Sequence, residues 1–178
     1  MKNTLIAIKS FIIFSVLLGL VYPLAITGIA QVAFPQKANG SLIVENGKIV
    51  GSSLIGQKFD KPEYFNSRPS AVDYNAAGSG ASNLGPSSKK LAEQVRERTK
   101  GLKNIPADMV LTSASGLDPH ISVENAKLQA QRIAKIRGLQ ISKLDELISN
   151  NTDSEFLGIW GQDGVNVLKL NIALDKVK

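Results

Sequence analysis

The sequence predicts an α+β protein in which a single N-terminal transmembrane helix precedes one mixed extracytoplasmic domain with an N-terminal β-hairpin and several helices. No charged residue lies between Lys9 and Lys37. At about 1.5 Å per residue, the apolar residues 11–34 can cross a hydrocarbon core of about 30 Å. Two β-branched runs flank Asn46-Gly47, and later segments have helical periodicity. We therefore divide the chain into a cytoplasmic arm (1–10), a transmembrane helix (11–34) and a soluble domain (35–178).

The apolar segment is interpreted as an uncleaved membrane anchor. Signal peptides have a shorter apolar region before a small-residue cleavage site, and Gly28-Ile29-Ala30 would serve as such a site, so cleavage is the alternative. Lys2 and Lys9 precede the span and favour a cytoplasmic N-terminus. The domain then lies outside the cytoplasm, and a bacterial periplasm or outer surface fits this topology. The absence of cysteine is compatible with that compartment.

Small or polar residues recur every four positions along the predicted helix, which indicates packing against other membrane helices. Such residues let transmembrane helices approach closely and hydrogen-bond to one another. Pro23 has no N–H group for the carbonyl of Gly19, which predicts a kink, and Tyr22 places a hydroxyl in mid-span. The alternative is an isolated anchor that tolerates these residues. The residues assigned to helix packing are Ser15, Gly19, Tyr22, Pro23, Thr27 and Gln31.

The composition after the anchor is that of one globular domain. About 144 residues remain, enough for a core of their own. The whole chain has a formal charge of +6, but basic and acidic residues interleave along helical segments as on a solvated surface. We therefore expect no nucleic-acid binding, and with one histidine and no cysteine we expect no metal site.

The clearest local signal in the soluble part is a β-hairpin with a two-residue turn at Asn46-Gly47. Two further strands are candidates after the hairpin: a short one at Leu54-Ile55 and one at residues 108–112. The tail is expected to form a strand over 165–168 and then a helix. Helices are expected from Ser87 or Ser88 to about Lys100, from Val123 to about Arg137, and from Ser142 to Asn150. Their predicted inner residues are Leu91, Ala92 and Val95; Ala126, Ala130, Ile133 and Ala134; and Leu144, Leu147 and Ile148.

Two turn-rich segments, 64–70 and 78–86, are predicted to contact a partner because core packing explains them poorly. The aromatic residues of the first have a competing interpretation as one end of the core. The second lacks the Lys-Ser/Thr pair of a phosphate-binding loop, which disfavours a nucleotide cradle. The residues assigned to partner contact are Tyr64, Phe65, Arg68, Ser82, Asn83, Asp118 and His120.

The segment 113–122 combines Ser113, Ser115 and Asp118 with His120, the only histidine. A hydrolytic site is one interpretation, but catalytic triads draw their members from separate segments of the chain. The preferred interpretation is a structural loop in which His120 is buried or hydrogen-bonded. No catalytic residue is therefore assigned.

Seven sequence blocks, in the same order along nearly the whole chain, resemble the C subunit of the bacterial Kdp-type potassium-transporting ATPase. Each block alone is a weak signal, but seven in order make a chance resemblance improbable. The blocks are Tyr22-Pro23-Leu24; Phe34-Pro35 with Ala38-Asn39-Gly40-Ser41; residues 51–57; Tyr64-Phe65 with Arg68-Pro69-Ser70; residues 82–86; residues 113–121; and residues 165–168 with Leu170-Asn171.

The resemblance implies a non-enzymatic accessory subunit of a high-affinity, ATP-driven potassium uptake complex. It also implies a single-pass protein of the bacterial inner membrane, with a cytoplasmic N-terminus and a periplasmic domain. Its implied partners are a channel-like A subunit, an ATP-hydrolysing B subunit and a small F subunit, with the domain beside the outer potassium entrance. An alternative in that family is a catalytic chaperone that raises the ATP affinity of the B subunit through a ternary complex with ATP. The predicted topology separates the domain from cytoplasmic ATP, and Thr152-Asp153-Ser154 occupies the place of the glutamine proposed to contact nucleotide. No cofactor is assigned to this chain, and ATP contact is left open only through the complex.

Overall fold

The computed structural model describes residues 2–99 and 104–177, which fall into two compact units, Met1–Ser52 and Ser53–Lys178. Both helices and short strands are present, and a long apolar helix comes first. The predicted α+β class with one N-terminal apolar helix is therefore confirmed.

The first unit begins with one long helix in three parts: α1 (Lys2–Val16), a π-helical turn (Leu17–Val21) and α2 (Tyr22–Ala33). By length and composition, Lys2–Ala33 suffices to cross a membrane. In the π turn, the Tyr22 N–H donates to the carbonyl of Leu17, five residues back. Because Pro23 has no N–H for Gly19, the turn before it is free to widen. The predicted kink at Gly19 and Pro23 thus coincides in sequence with a π turn immediately before the proline.

Two residues of the proposed packing set have hydrogen-bond partners within the first unit. The Thr27 hydroxyl donates to the Pro23 carbonyl at 2.8 Å. Gln31 and Asn39 exchange side-chain amide hydrogen bonds of 3.2 and 3.3 Å, and Asn39 also donates to Pro35 in the short helix α3 (Pro35–Ala38). Gln31 therefore braces the end of the apolar helix.

The predicted hairpin is confirmed as β1 (Leu42–Glu45) paired with β2 (Lys48–Ser52). Asn46 and Gly47 have φ values of 51° and 75°, as a type I′ turn requires. The register shifts between Ile43 and Val44, which pair with Gly51 and Ile49, so the hairpin contains a bulge.

The second unit combines helices with one small sheet. Its described helices are α4 (Lys89–Arg98), α5 (Ala107–Val110), α6 (Val123–Arg137), α7 (Ile141–Asn150) and α8 (Val167–Asp175). Its described strands are β3 (His120–Ile121), β4 (Thr152–Asp153) and β5 (Gly164–Asn166), in the antiparallel order β3–β5–β4.

Helix α6 begins and ends where the sequence predicts. Ser122 accepts a cap bond from the Asn125 N–H at 3.1 Å, and Gly138 closes the helix at φ 66°. All four predicted inner residues of α6 are buried, as are the three predicted for α7. The helix α7 starts earlier than predicted, because Gln140, not Ser142, is its N-cap.

The helix α4 begins as predicted, with the Ser88 hydroxyl accepting from the Leu91 N–H. Its predicted stop at Lys100 and Gly101 lies outside the described residues. Ala92 is exposed, so its predicted inward orientation is wrong. Arg98 is instead half-buried and donates to the Val110 carbonyl, which places that side of α4 against α5.

Two expected strands are absent from the described residues. Leu54-Ile55 forms a turn, because the Gly56 N–H donates to the Leu117 carbonyl at 2.8 Å rather than to a neighbouring strand. The stretch around Asp108 is the helical turn α5, because the Asp108 carboxylate accepts a hydrogen bond from the Ser122 N–H at the start of α6. The tail forms the expected strand and helix, but the strand ends at Asn166, whose side chain caps α8.

The core of the second unit lies between α6, α7, α8 and the sheet. Its buried members are Phe65, Ile121, Ala126, Ala130, Ile133, Ala134, Leu144, Leu147, Ile148, Val165, Val167, Leu170 and Leu174. Phe65 is the one aromatic side chain in this set, and it comes from a segment without regular secondary structure.

Candidate functional site

The segment 62–66 is held to the helices by side chains rather than by another strand. The Asn171 side chain of α8 accepts from the Phe65 N–H and donates to the Phe65 carbonyl, both at 2.9 Å. The Gln129 side chain of α6 does the same for Asn66, at 2.8 and 3.1 Å. Each amide thus replaces the backbone partner that a strand would supply.

Two arginines complete this attachment. Arg132 donates to the carbonyls of Pro62 and Tyr64, and Arg137 donates to the carbonyl of Glu63 at 3.0 Å. The Arg137 guanidinium also lies 4.8 Å from the centre of the Tyr64 ring, within cation–π range. We name residues 62–66 with these partners the clamped segment.

The two aromatic residues of the clamped segment differ in whether they pack in the core or can contact a partner. Phe65 has no exposed surface and lies in the core, so the expectation that Phe65 contacts a partner is wrong. Tyr64 is half-buried, and its hydroxyl donates to Asp175 at 2.9 Å. Part of the Tyr64 surface is therefore open to a partner.

The contacts of Tyr64 predict that the free energy of unfolding falls at alkaline pH. Its hydrogen bond to Asp175, together with partial burial, raises the pKa of Tyr64 above its usual value of 10.0. The folded chain then keeps a proton that the unfolded chain loses, so this stabilisation is complete below about pH 10 and is lost as pH rises through the folded-state pKa. We expect the Tyr64→Phe melting temperature, followed by circular dichroism, to fall less between about pH 9 and pH 11 than that of the wild type. Parallel curves would contradict this assignment.

Three of the predicted contact residues lie together in the structure: Arg68, Asp118 and His120. The Arg68 guanidinium donates to Asp118 Oδ2 at 3.0 Å, while Asp118 Oδ1 accepts from the His120 N–H at 3.0 Å. All three line a cleft of about 420 Å³, to which Asp108, Glu124 and Asp163 add further carboxyl groups. The cleft therefore has an acidic rim, and its one guanidinium, that of Arg68, is already paired with Asp118.

The His120 ring is committed to a structural contact. Its Nε2 lies 2.9 Å from Asp153 Oδ2 across the sheet, and Lys169 approaches the other oxygen of Asp153 at 3.7 Å. Among the described residues, no hydrogen bond joins His120 to Ser113 or Ser115: Ser113 is buried, and the Ser115 hydroxyl accepts from the Leu117 N–H. The serine–histidine pair of a hydrolase is not assembled.

Asp108 is used within the fold although it lines the cleft. Its carboxylate accepts from the Ser122 N–H at 2.7 Å, from the Ser122 hydroxyl at 3.0 Å and from the Asn125 amide at 3.0 Å. A carboxylate at this place also complements the positive end of the α6 dipole. Across residues 2–99 and 104–177, no three His, Cys, Asp or Glu side chains are grouped as metal ligands would be.

The Gly-rich segment lies against the loop that carries Asp118. The Gly80 N–H donates to the Ser115 carbonyl at 2.9 Å, and the Ser79 hydroxyl donates to the same carbonyl at 3.0 Å. Ser82 lines a second cleft with Lys90 and other residues, whereas Asn83 is exposed with φ 52°. The segment is thus tied to the structure at its start and presents Asn83 to the surface.

Residues 155–161, for which the sequence predicts no element or site, carry four strongly exposed apolar side chains. These side chains belong to Phe156, Leu157, Ile159 and Trp160, which we name the apolar tip. The Phe156 N–H donates to the Trp160 carbonyl at 2.8 Å, and the two rings lie 6.4 Å apart. An apolar run without helical or strand period, between two short strands, was the signal available in the sequence.

Comparison with known proteins identifies similar chains along the full length. A family model described as "K⁺-transporting ATPase, c chain" matches residues 4–176. A protein of Cereibacter sphaeroides strain KD131 is 51% identical over 174 residues, covering 95% of this chain and 94% of its own. Others, from Herpetosiphon aurantiacus (51% identical; 97% and 95% covered) and Geobacter sulfurreducens (50% identical; 98% and 98% covered), are similar over the same extent. All three are described as potassium-transporting ATPase KdpC subunits.

Proposed function

The chain belongs to the KdpC family, the c chain of the K⁺-transporting ATPase, and on this premise we propose that it is a non-catalytic, single-pass accessory subunit of that complex. It assembles with the channel-like A subunit, the ATP-hydrolysing B subunit and the small F subunit, and its domain stabilises or caps the outer potassium entrance. The family match over residues 4–176 carries the proposal, because it takes in both compact units.

The proposed orientation places the N-terminus in the cytoplasm and the domain in the periplasm. Lys2 and Lys9 before the apolar helix support it through the positive-inside rule. Since the chain has no cysteine, single cysteines report position cleanly. We expect a membrane-impermeant maleimide to label Ser142→Cys in intact spheroplasts and Asn3→Cys only after permeabilisation. The reverse pattern would place the domain beside cytoplasmic ATP and favour the catalytic-chaperone alternative.

The apolar helix is proposed to dock on the other membrane subunits through its small and polar residues. Gly19 is central to this surface, because a larger side chain there would hold a partner helix away. We expect Gly19→Leu to reduce co-purification of the chain with a tagged A subunit severalfold. Gly28→Leu, the same enlargement nine residues or about 2.5 helical turns further along and therefore on the other side of the helix from Gly19, is the matched control. Equal recovery of both variants would contradict docking through this surface.

The clamped segment and the cleft supply the contact surface proposed for the domain. Tyr64 keeps exposed surface, and Arg68, Asp118 and His120 are held together at the cleft by hydrogen bonds. Ordered side chains lose little conformational freedom on binding, which favours a defined contact.

A further inference from the structure

The apolar tip exposes more apolar surface than folding alone accounts for. The side chains of Phe156, Leu157, Ile159 and Trp160 are 69%, 71%, 73% and 61% exposed. Aromatic side chains such as Phe156 and Trp160 bury about 150–250 Å² each when enclosed, so with Leu157 and Ile159 the tip presents a patch of several hundred Å². Contiguous patches of that size on a soluble surface mark interaction sites.

The tip is built to display these side chains rather than to fold them away. The Phe156 and Trp160 backbones bond to each other at 2.8 and 3.1 Å, which closes a narrow loop. Leu157 and Gly158 turn the chain at φ values of 55° and 68°, and the former is an unfavourable conformation for leucine. At its base, the Glu155 N–H donates to Asp163 at 3.2 Å. A strained, internally bonded loop holds its apolar residues outward before any partner arrives.

The charges around the tip indicate which kind of partner covers it. Residues 154–163 contain Glu155 and Asp163 and no lysine or arginine. Segments that insert into lipid surfaces carry basic residues beside their apolar ones, because they approach negatively charged headgroups. Protein interfaces, in contrast, seat aromatic anchors in apolar pockets surrounded by a polar rim. Two carboxyl groups beside an apolar anchor therefore fit a protein pocket with a basic rim.

We propose that the apolar tip inserts into an apolar cleft with a basic rim on another subunit of the ATPase, and that it anchors the domain in the complex. This inference rests on the proposed function. It adds a contact that the sequence-based choice of residues 64–70 and 78–86 does not contain. Trp160 and Phe156 are the anchor residues, and Glu155 and Asp163 pair with the basic rim.

The test places an environment-sensitive fluorophore on Leu157→Cys in the full chain, which has no other cysteine. The labelled chain is reconstituted into nanodiscs of zwitterionic or anionic lipid, alone and with the remaining ATPase subunits. Ser142→Cys, on the exposed side of α7, carries the same label as control. We expect a blue shift and protection from iodide only at Leu157→Cys, and only when the other subunits are present. A blue shift in lipid alone would assign the tip to the bilayer and overturn the proposal.

A second measurement separates this inference from the proposed function. The double variant Phe156→Ser with Trp160→Ser should bind the other subunits about 30-fold more weakly, as loss of buried aromatic anchors does, with an unchanged far-ultraviolet spectrum. Glu155→Lys with Asp163→Lys should also weaken binding, most strongly at low salt. If the wild-type chain assembles while these variants bind equally well, the tip proposal fails and the proposed function stands. If the wild-type chain does not assemble, both fail.

Discussion

Replacing Asn171 by leucine should cost the protein about 2–6 kcal/mol of unfolding free energy. Asn171 is 2% exposed and satisfies both backbone groups of Phe65, which has no exposed surface. Leucine has a similar size but neither donates nor accepts, so a buried N–H and a buried carbonyl lose their partners at about 1–3 kcal/mol each. Urea unfolding of the full chain, followed by circular dichroism, measures the change.

The control for this prediction is Asn150→Leu, because Asn150 is exposed at the end of α7. A surface substitution of this kind should change stability by no more than about 0.5 kcal/mol. If Asn171→Leu were as stable as Asn150→Leu, the Phe65 backbone would have other partners and Asn171 would not hold the clamped segment.

Gly56→Ala should destabilise the second unit by about 2–4 kcal/mol. A Cβ atom at Gly56 would overlap the carbonyl oxygen of Asp118 and lie 3.0 Å from its carbonyl carbon. Both are backbone atoms, so no side-chain rotation relieves the clash. The loop that carries Asp118 must move away, which stretches the 2.8 Å bond from the Gly56 N–H to Leu117 and displaces the ion pair with Arg68.

Gly85→Ala is the matched control for Gly56→Ala, since nothing lies within 4 Å of a Cβ built on Gly85. We expect Gly85→Ala to lose no stability and Gly56→Ala to lower both the urea midpoint and the recovery of the assembled ATPase. A Gly56→Ala protein with wild-type stability would mean that the close approach to Asp118 is not needed.

Elements whose signals are local could be predicted from the sequence. The turn at Asn46-Gly47 and the start and stop of α6 at Ser122 and Gly138 depend on residues at or beside the element. The buried face of α6 follows from its 3.6-residue period. Helix α7 shows the limit of such signals, because Ser142 is a good cap type but lies inside a helix that begins at Ile141.

Features that depend on distant partners could not be predicted in this way. Asp108 lies in an apolar stretch that resembles a strand, but its carboxylate caps a helix beginning at Val123, so the stretch forms a helical turn. Phe65 and Asn171 are 106 residues apart, and nothing near either one indicates the other. The sequence assigns Arg68 and Asp118 to partner contact, but their ion pair follows only from the fold.

The clamped segment has a consequence for how its sequence can vary. The side chains of Asn171, Gln129, Arg132 and Arg137 bind backbone groups of residues 62–66, which every amino acid except proline carries in full. Apart from Phe65 in the core, substitutions there leave most of these bonds in place. An insertion or deletion of one residue, by contrast, would move each carbonyl away from its partner and disrupt the whole set at once. The segment therefore tolerates changes of residue type but not changes of length.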